Sequence, residues 1–189
     1  LYRIDFWNRP DAIVPTQDVI ILDTLDPDLD WSTFRFTTFG FLNWNVELPR
    51  NGVQAIDQQV DLRPDMNLVV NVEASFDPVT GELRWWFHAL DPLTGIAPED
   101  PLTGFLPPNN PDVHDGEGFV QYTLYPKVGL PTGTQITNTA SFDAPALLEA
   151  VSDSFVLVVN SAPSFTSTPE LTAIQGYPYT YTITVDDPD

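Results

Sequence analysis

The sequence predicts an all-β protein, on three observations. The chain of 189 residues holds 19 Pro and 10 Gly beside 12 Phe, 6 Tyr and 5 Trp, with Thr and Val abundant. No long stretch of Ala, Leu, Glu and Lys interrupts that composition, which favours strands and turns over helices. Apolar and polar residues alternate with a period of two, segment after segment, between turn signals. Those signals are themselves of the hairpin kind, an Asn-Gly pair and Asp-Pro pentapeptides closed by Gly. At 42% hydrophobic, the chain has enough apolar mass for one good core and the start of a second. Its aromatic side chains supply the large packing units, and with no Cys there is no disulfide to staple them.

Taken in order, the alternation predicts strands at 1–7, where Tyr2, Ile4 and Phe6 share one face, and at 17–23, where Val19 and Ile21 do. The next are 33–39 and 43–48, rich in Phe, Thr and Trp, and then 53–60. Arg50-Asn51-Gly52 between the last two reads as a tight hairpin, since Asn-Gly accepts the positive φ angles of a type I′ turn. Strands follow at 67–75 and 82–89, joined through Asp77-Pro78-Val79-Thr80-Gly81, and then at 117–125, 134–142 and 154–160. The D-P-x-T-G pentapeptide recurs at 91–95 and 100–104. Its physical content is a turn and not a ligand motif: the Asp side chain caps, Pro sets φ, and Gly takes the left-handed position. The Pro-rich stretch 91–116 is then a long ordered loop crossing between sheets, of a length that covers or binds something.

Three segments together carry a family resemblance. YRIDFWN at 2–8 has the form Y-x-I-x-x-x-N, the strand after it ends D-T-L at 23–25, and 130–140 reads L-P-x-G-T-x-I-x-N-x-A. In that order they resemble the conserved-repeat domains of large exported bacterial proteins. The resemblance spans 2–142 and implies an immunoglobulin-like antiparallel sandwich of Greek-key type, used as a spacer or adhesive unit, with no catalytic residues to carry over. A boundary falls at Asn160-Ser161-Ala162-Pro163. Beyond it, A-P-S-F at 162–165, G-x-x-Y-x-Y-x-I-x-V at 176–185 and the closing Asp-rich D-P-D resemble the start of the cadherin-like and immunoglobulin domains of bacterial surface proteins. The expected organisation is a sandwich over 1–160 and the N-terminal strands of a second sandwich domain over 161–189. So short a second segment buries too little surface to fold alone. Either its missing strands follow in a longer chain, or it pairs with a neighbouring subunit. Leu1 opens inside a strand pattern and Asp189 stops within an Asp-rich loop, so the sequence reads as a piece of a longer polypeptide.

Charge narrows the partners. Against 27 acids stand 7 bases, a formal net charge of −20, which excludes nucleic acid as a partner because phosphates need a basic surface. No apolar run is long enough to span a bilayer, so no membrane insertion is expected in this segment. The expected partners are neighbouring domains of the same chain or like subunits, with cell-surface glycans as a further class, and the expected location is extracellular or at the cell surface.

Asp, a turn residue and a hard oxygen ligand, makes up most of the acid, which raises calcium. Three clusters qualify: Asp23, Asp26, Asp28 and Asp30 around one turn; Asp112, Asp115 and Glu117 beside Gly116; and Asp186, Asp187 and Asp189 at the end. The cadherin-like resemblance favours the last, with Asn160 in the linker position, as a calcium clamp stiffening the joint. This chain departs from the cadherin pattern in reading NSAP where those linkers carry additional Asp. Solvated turn Asp is the bland alternative for every cluster.

The five Trp suggest sugar stacking on an exposed indole. Trp85 and Trp86, adjacent on a strand, must point to opposite faces, so one of them needs cover or a ligand. The 91–116 loop is the expected cover. No enzyme is expected: His88 and His114 are the only imidazoles, Cys is absent, and no G-x-S-x-G or H-E-x-x-H pattern occurs. Lys127 and Asn138 are the pair that a pilin-like isopeptide cross-link would join, although Lys127, after Pro126 at a strand end, is expected to be exposed. The sequence therefore reads as a non-catalytic structural or adhesive repeat, with an extracellular filament built by strand addition and a carbohydrate-binding module as the other readings.

Overall fold

The computed structural model describes residues 1–49, 54–143, 148–149, 155–160 and 162–187. Every regular element among them is a strand, and no helix among them is long and apolar enough to cross a membrane. In chain order the strands are β1 (Tyr2–Asn8), β2 (Asp18–Thr24), β3 (Leu29–Phe41), β4 (Trp44–Glu47), β5 (Ala55–Asp61), β6 (Val69–Phe76) and β7 (Glu82–Leu90). There follow β8 (Glu117–Pro126), β9 (Gln135–Asn138), β10 (Ser141–Asp143), β11 (Leu148–Glu149), β12 (Phe155–Val158), β13 (Ser164–Phe165) and β14 (Val185–Asp186). The predicted Asn-Gly hairpin at 50–52 lies outside the described residues.

Two five-stranded sheets, in the orders β11-β1-β8-β3-β4 and β10-β2-β7-β6-β5, carry the fold; β9 pairs with β12, and β13 with β14. All ladders are antiparallel. The alternation of each strand decides its inward face: Val19 and Ile21 of β2, Leu83, Trp85 and Phe87 of β7, and Val120 and Tyr122 of β8 are buried together. Rings from the first sheet meet rings from the second, with centroids 4.9 Å apart for Phe36 and Trp85, 5.3 Å for Phe6 and Phe87, and 4.1 Å for Phe34 and Phe76. Edge-to-face and offset pairs at such distances add to the area they bury. The result is a sandwich-like pair of sheets closed over an aromatic core.

Two departures from the predicted strands have physical causes. The predicted 33–39 strand begins earlier, at Leu29, and its buried residues shift from even positions, Phe34 and Phe36, to odd ones, Phe39 and Phe41. The pairing of β3 with β8 slips between Phe36 and Thr38, and this β-bulge restores the inward aim after one extra residue. The predicted 134–142 strand divides: β9 pairs with β12, while β10 crosses to the edge of the second sheet beside β2. The 91–116 loop crosses from β7 to β8 and caps one end of the core. Its Phe105 and Leu106 are fully buried, and Phe105 packs edge-on to Phe41 at 5.2 Å. Leu106 bridges Thr16, and the buried Asn8 amide donates to the carbonyls of Val14 and Leu106. Gln17 Nε2 adds bonds to the carbonyls of Pro98, Asp100 and Thr103, so one amide holds the outer part of the loop.

All three D-P-x-T-G segments form turns in which the Asp carboxylate accepts the N–H two residues on. Their glycines differ. Gly81 has φ +77° and a Cβ there would stand 2.5 Å from the Trp31 ring, whereas Gly95, at φ +70°, faces open space. Gly81→Val is expected to cost about 2–4 kcal/mol, the sum of left-handed backbone strain and displacement of Trp31. Gly95→Val should cost only the first part, about 1–2 kcal/mol. Urea denaturation of the two variants checks this, and equal losses would mean that Trp31 is not held by the turn.

Candidate functional site

The outward face of the second sheet gathers the side chains best suited to a ligand. Register places Asp18, His88, Asn71 and Gln59 in one row across β2, β7, β6 and β5. The next row is Ile20, Trp86, Glu73 and Asp57, and the third is Leu22, Arg84, Ser75 and Ala55. Trp85 is fully buried and Trp86 points the other way, as neighbours on a strand must. The cover of Trp86 comes from its own strand and from β2. The Arg84 guanidinium lies 5.1 Å from the ring centroid, His88 stands edge-on at 4.0 Å, and Nε1 donates to Asp18 at 3.0 Å. The 91–116 loop, expected as that cover, is committed instead to the end of the core.

Beside this Trp lies a depression of about 300 Å³ lined by Ala55, Ile56, Asp57, Glu73, Ala74, Ser75 and Arg84. Arg3, Arg9 and Arg63 each pair with an Asp two positions away. Arg84 makes no ion pair among the described residues, and its guanidinium rests on the indole instead. Glu73 is oriented through Oε1, which accepts from Asn71 Nδ2 at 3.2 Å and lies 3.9 Å from His88 Nε2. The depression thus presents a donor fork, two carboxylates and a hydroxyl around one small space.

A second polar group is sealed inside. Tyr122 donates its hydroxyl to Asp23 Oδ2 at 2.7 Å, and Asn138 Nδ2 donates to the same oxygen at 2.8 Å and to the Tyr122 oxygen at 2.9 Å. All three residues are buried, and Tyr2 stacks on Tyr122 with centroids 5.2 Å apart. Burial raises the pKa of Asp23 above its ordinary value despite the hydrogen bonds that oppose it. Burial and the Asp23 charge push Tyr122 far upward, so the phenol stays protonated. Reading Asp23 with the turn acids misplaced it. The missed signal was its phase, since Asp23 follows Val19 and Ile21 at spacings of two on the inward face of β2. Asn138 shares a face with Ile136 in the same way, and its amide is spent on Asp23 and Tyr122 while Lys127 is exposed.

The calcium candidates are placed as follows. Asp26 accepts the N–H of Asp28 through Oδ1 and that of Thr137 through Oδ2. Asp30 Oδ1 accepts from Ser32, both main chain and hydroxyl. Asp28 contributes its carbonyl to Lys127 N–H. The Asp26 and Asp30 carboxylates serve their own turn and its neighbours, and with Asp28 they do not surround one point. Asn160 is exposed, Asp186 pairs with Ser164 on β14, Asp187 follows it, and Asp189 lies outside the described residues. Among the described residues, no three acidic or imidazole side chains converge as around a metal ion. In the 109–117 turn, His114 sits at φ +58° and its Nδ1 lies 2.7 Å from Glu117 Oε1, an oxygen that also accepts from Asn109. That contact raises the His114 pKa. Partial burial works to raise Glu117, but the bonds from His114 and Asn109 hold it below its ordinary value. Asp115 caps Asn110 N–H, so these acids too are engaged in loop structure.

A larger open groove, about 750 Å³, runs between Met66–Leu68 and the 91–104 loop, with Ile96 and Leu102 on its walls and Asp91, Glu99 and Asp100 among its lining. Hydrogen bonds from the N–H groups of Thr94 and Leu93 hold Asp91 below the usual carboxylate range. Compared with known proteins, the chain matches no family model, no curated protein and no solved structure.

Proposed function

We propose that this chain is a non-catalytic structural and adhesive module of an extracellular or cell-surface bacterial protein. In this reading 1–160 is an immunoglobulin-like sandwich, and 161–189 begins a second β-domain. The observation that carries it is the contrast between the two parts. The core side chains all precede residue 160, whereas every described residue from 162 onward is exposed except Ser167, which is half-buried. A closed core followed by an open β-hairpin is the arrangement of one module leading into the next.

The same hairpin favours a second reading. Tyr177, Tyr179, Tyr181, Ile183 and Val185 alternate with Pro178, Thr180, Thr182 and Thr184, and this apolar row is 36–75% exposed. Only Val185–Asp186 of this segment is a strand, paired with Ser164–Phe165, and the alternating row before it is suited to ordering as an added strand on a sheet in a like subunit, which would make the chain a filament protomer. Light scattering after gel filtration separates the two. A monomer at all accessible concentrations supports the spacer, and concentration-dependent polymers, lost on removing 162–189, overturn it in favour of strand addition.

Calcium at the junction is part of the spacer reading, through Asn160, Asp186, Asp187 and Asp189. A melt of the chain extended through the second domain is expected to rise in midpoint in calcium relative to chelator, and Asp186→Asn with Asp187→Asn should abolish the rise. At free calcium 100-fold above Kd the gain is about 2.7 kcal/mol. Identical melts would remove calcium from the proposal and leave these acids as solubilising turn residues.

A further inference from the structure

We infer that the depression bounded by Asp57, Glu73, Ser75 and Arg84 is a binding site for a neutral pyranose unit of a polysaccharide. Three of these four side chains, Asp57, Ser75 and Arg84, make no side-chain hydrogen bond or ion pair among the described residues, although Arg84 is half-buried. In a chain of net charge −20, a guanidinium with five free donors beside two carboxylates is an unusual vacancy for pairing. Trp86 explains why Arg84 does not collapse onto Glu73. The indole is fixed by its bond to Asp18 and by His88, and it offers the guanidinium a ring face to rest on. Arg84 is thereby held with its N–H edges available, and Glu73 is held by Asn71 through one oxygen with the other left over.

The mixture of groups selects the ligand class. An anion meets Arg84 but is repelled by Asp57 and Glu73, and a cation is attracted by the acids but meets Arg84. A neutral polyol suits both, because each hydroxyl both donates and accepts: adjacent sugar hydroxyls donate to the carboxylates while their oxygens accept from the guanidinium fork. The volume of about 300 Å³ admits a single ring rather than an oligomer. The position on β5, an edge strand of its sheet, lets the rest of a polymer run past without crossing the sheet face. This site does not depend on the spacer reading, because a monomer or a filament protomer would present it equally.

The test is affinity electrophoresis of the 189-residue chain in gels containing a mannan, a dextran, a β-1,3-glucan, a xylan or a polyuronate, followed by titration of Trp fluorescence with any polymer that retards it. Retardation by at least one neutral polymer is expected, with binding weakened about tenfold or more in Arg84→Ala and in Asp57→Asn. Asp57 is exposed on an edge strand, so its variant folds even where loss of Arg84 disturbs Trp86. Circular dichroism of both variants verifies that the sheet is intact. No retardation by any neutral polymer, retardation by the polyuronate alone, or neutral binding unchanged in folded Asp57→Asn and Arg84→Ala would each overturn the assignment.

Discussion

Asp23→Ala is expected to destabilise the sandwich by about 3–5 kcal/mol, because it leaves the Tyr122 hydroxyl and the Asn138 amide buried beside an empty acceptor position. Asp23→Asn should cost much less. Both hydrogen bonds end on Oδ2, so an Asn oxygen can accept them, while Oδ1, which has no partner, is replaced by an amide nitrogen. The pH dependence separates the two effects. A carboxyl with a folded pKa above its unfolded value binds its proton more tightly in the native state. Its contribution is therefore fully present below the unfolded value, near pH 4, and is lost as pH rises through the raised folded value. Asp23→Asn removes that loss, so its stability relative to the parent chain should improve from pH 4 to pH 8. Parallel stability profiles for the two proteins, measured by urea denaturation, would show that Asp23 does not titrate in this window.

The second large effect is expected at the adjacent tryptophans, which differ in face and so should differ in cost. Trp85 is fully buried against Phe36 and Phe39, and Trp85→Ala should cost about 3–5 kcal/mol through lost burial and a residual cavity. Its indole N–H has no hydrogen-bond partner, so Trp85→Phe forfeits volume but relieves an unpaired donor and should cost about 1–2 kcal/mol. Trp86→Ala uncovers Arg84 and His88 and releases one hydrogen bond to Asp18, at an expected cost of about 1 kcal/mol. Denaturation followed by circular dichroism reads all three variants. Similar losses for Trp85→Ala and Trp86→Ala would contradict the assignment of opposite faces.

Much of the fold was legible because alternation carries the inward face of a strand directly. Val19 and Ile21, or Leu83, Trp85 and Phe87, need no partner strand to be recognised as core. The same rule, applied to Asp23, would have separated it from Asp26, Asp28 and Asp30, since an acid in phase with buried residues is an inward acid. Where alternation breaks, as from Phe36 to Phe39, the local pattern no longer states which residues face inward, and the bulge against β8 decides it. The division of 134–142 between two ladders likewise depends on partners distant in sequence, β12 for one half and β2 for the other.

By itself the sequence determined the all-β character, most strand positions, the opposite aims of Trp85 and Trp86, and a strongly acidic net charge. Composition, period and net charge are properties of the chain before it folds. Tertiary structure alone decided that Asp23, Tyr122 and Asn138 meet in the core, and that Asp57, Glu73 and Arg84 share one depression while Asp26, Asp30, Asp77, Asp91 and Asp100 are spent on their own turns. Those groupings arise from the register of strands far apart in the chain, and local pattern holds no record of that register.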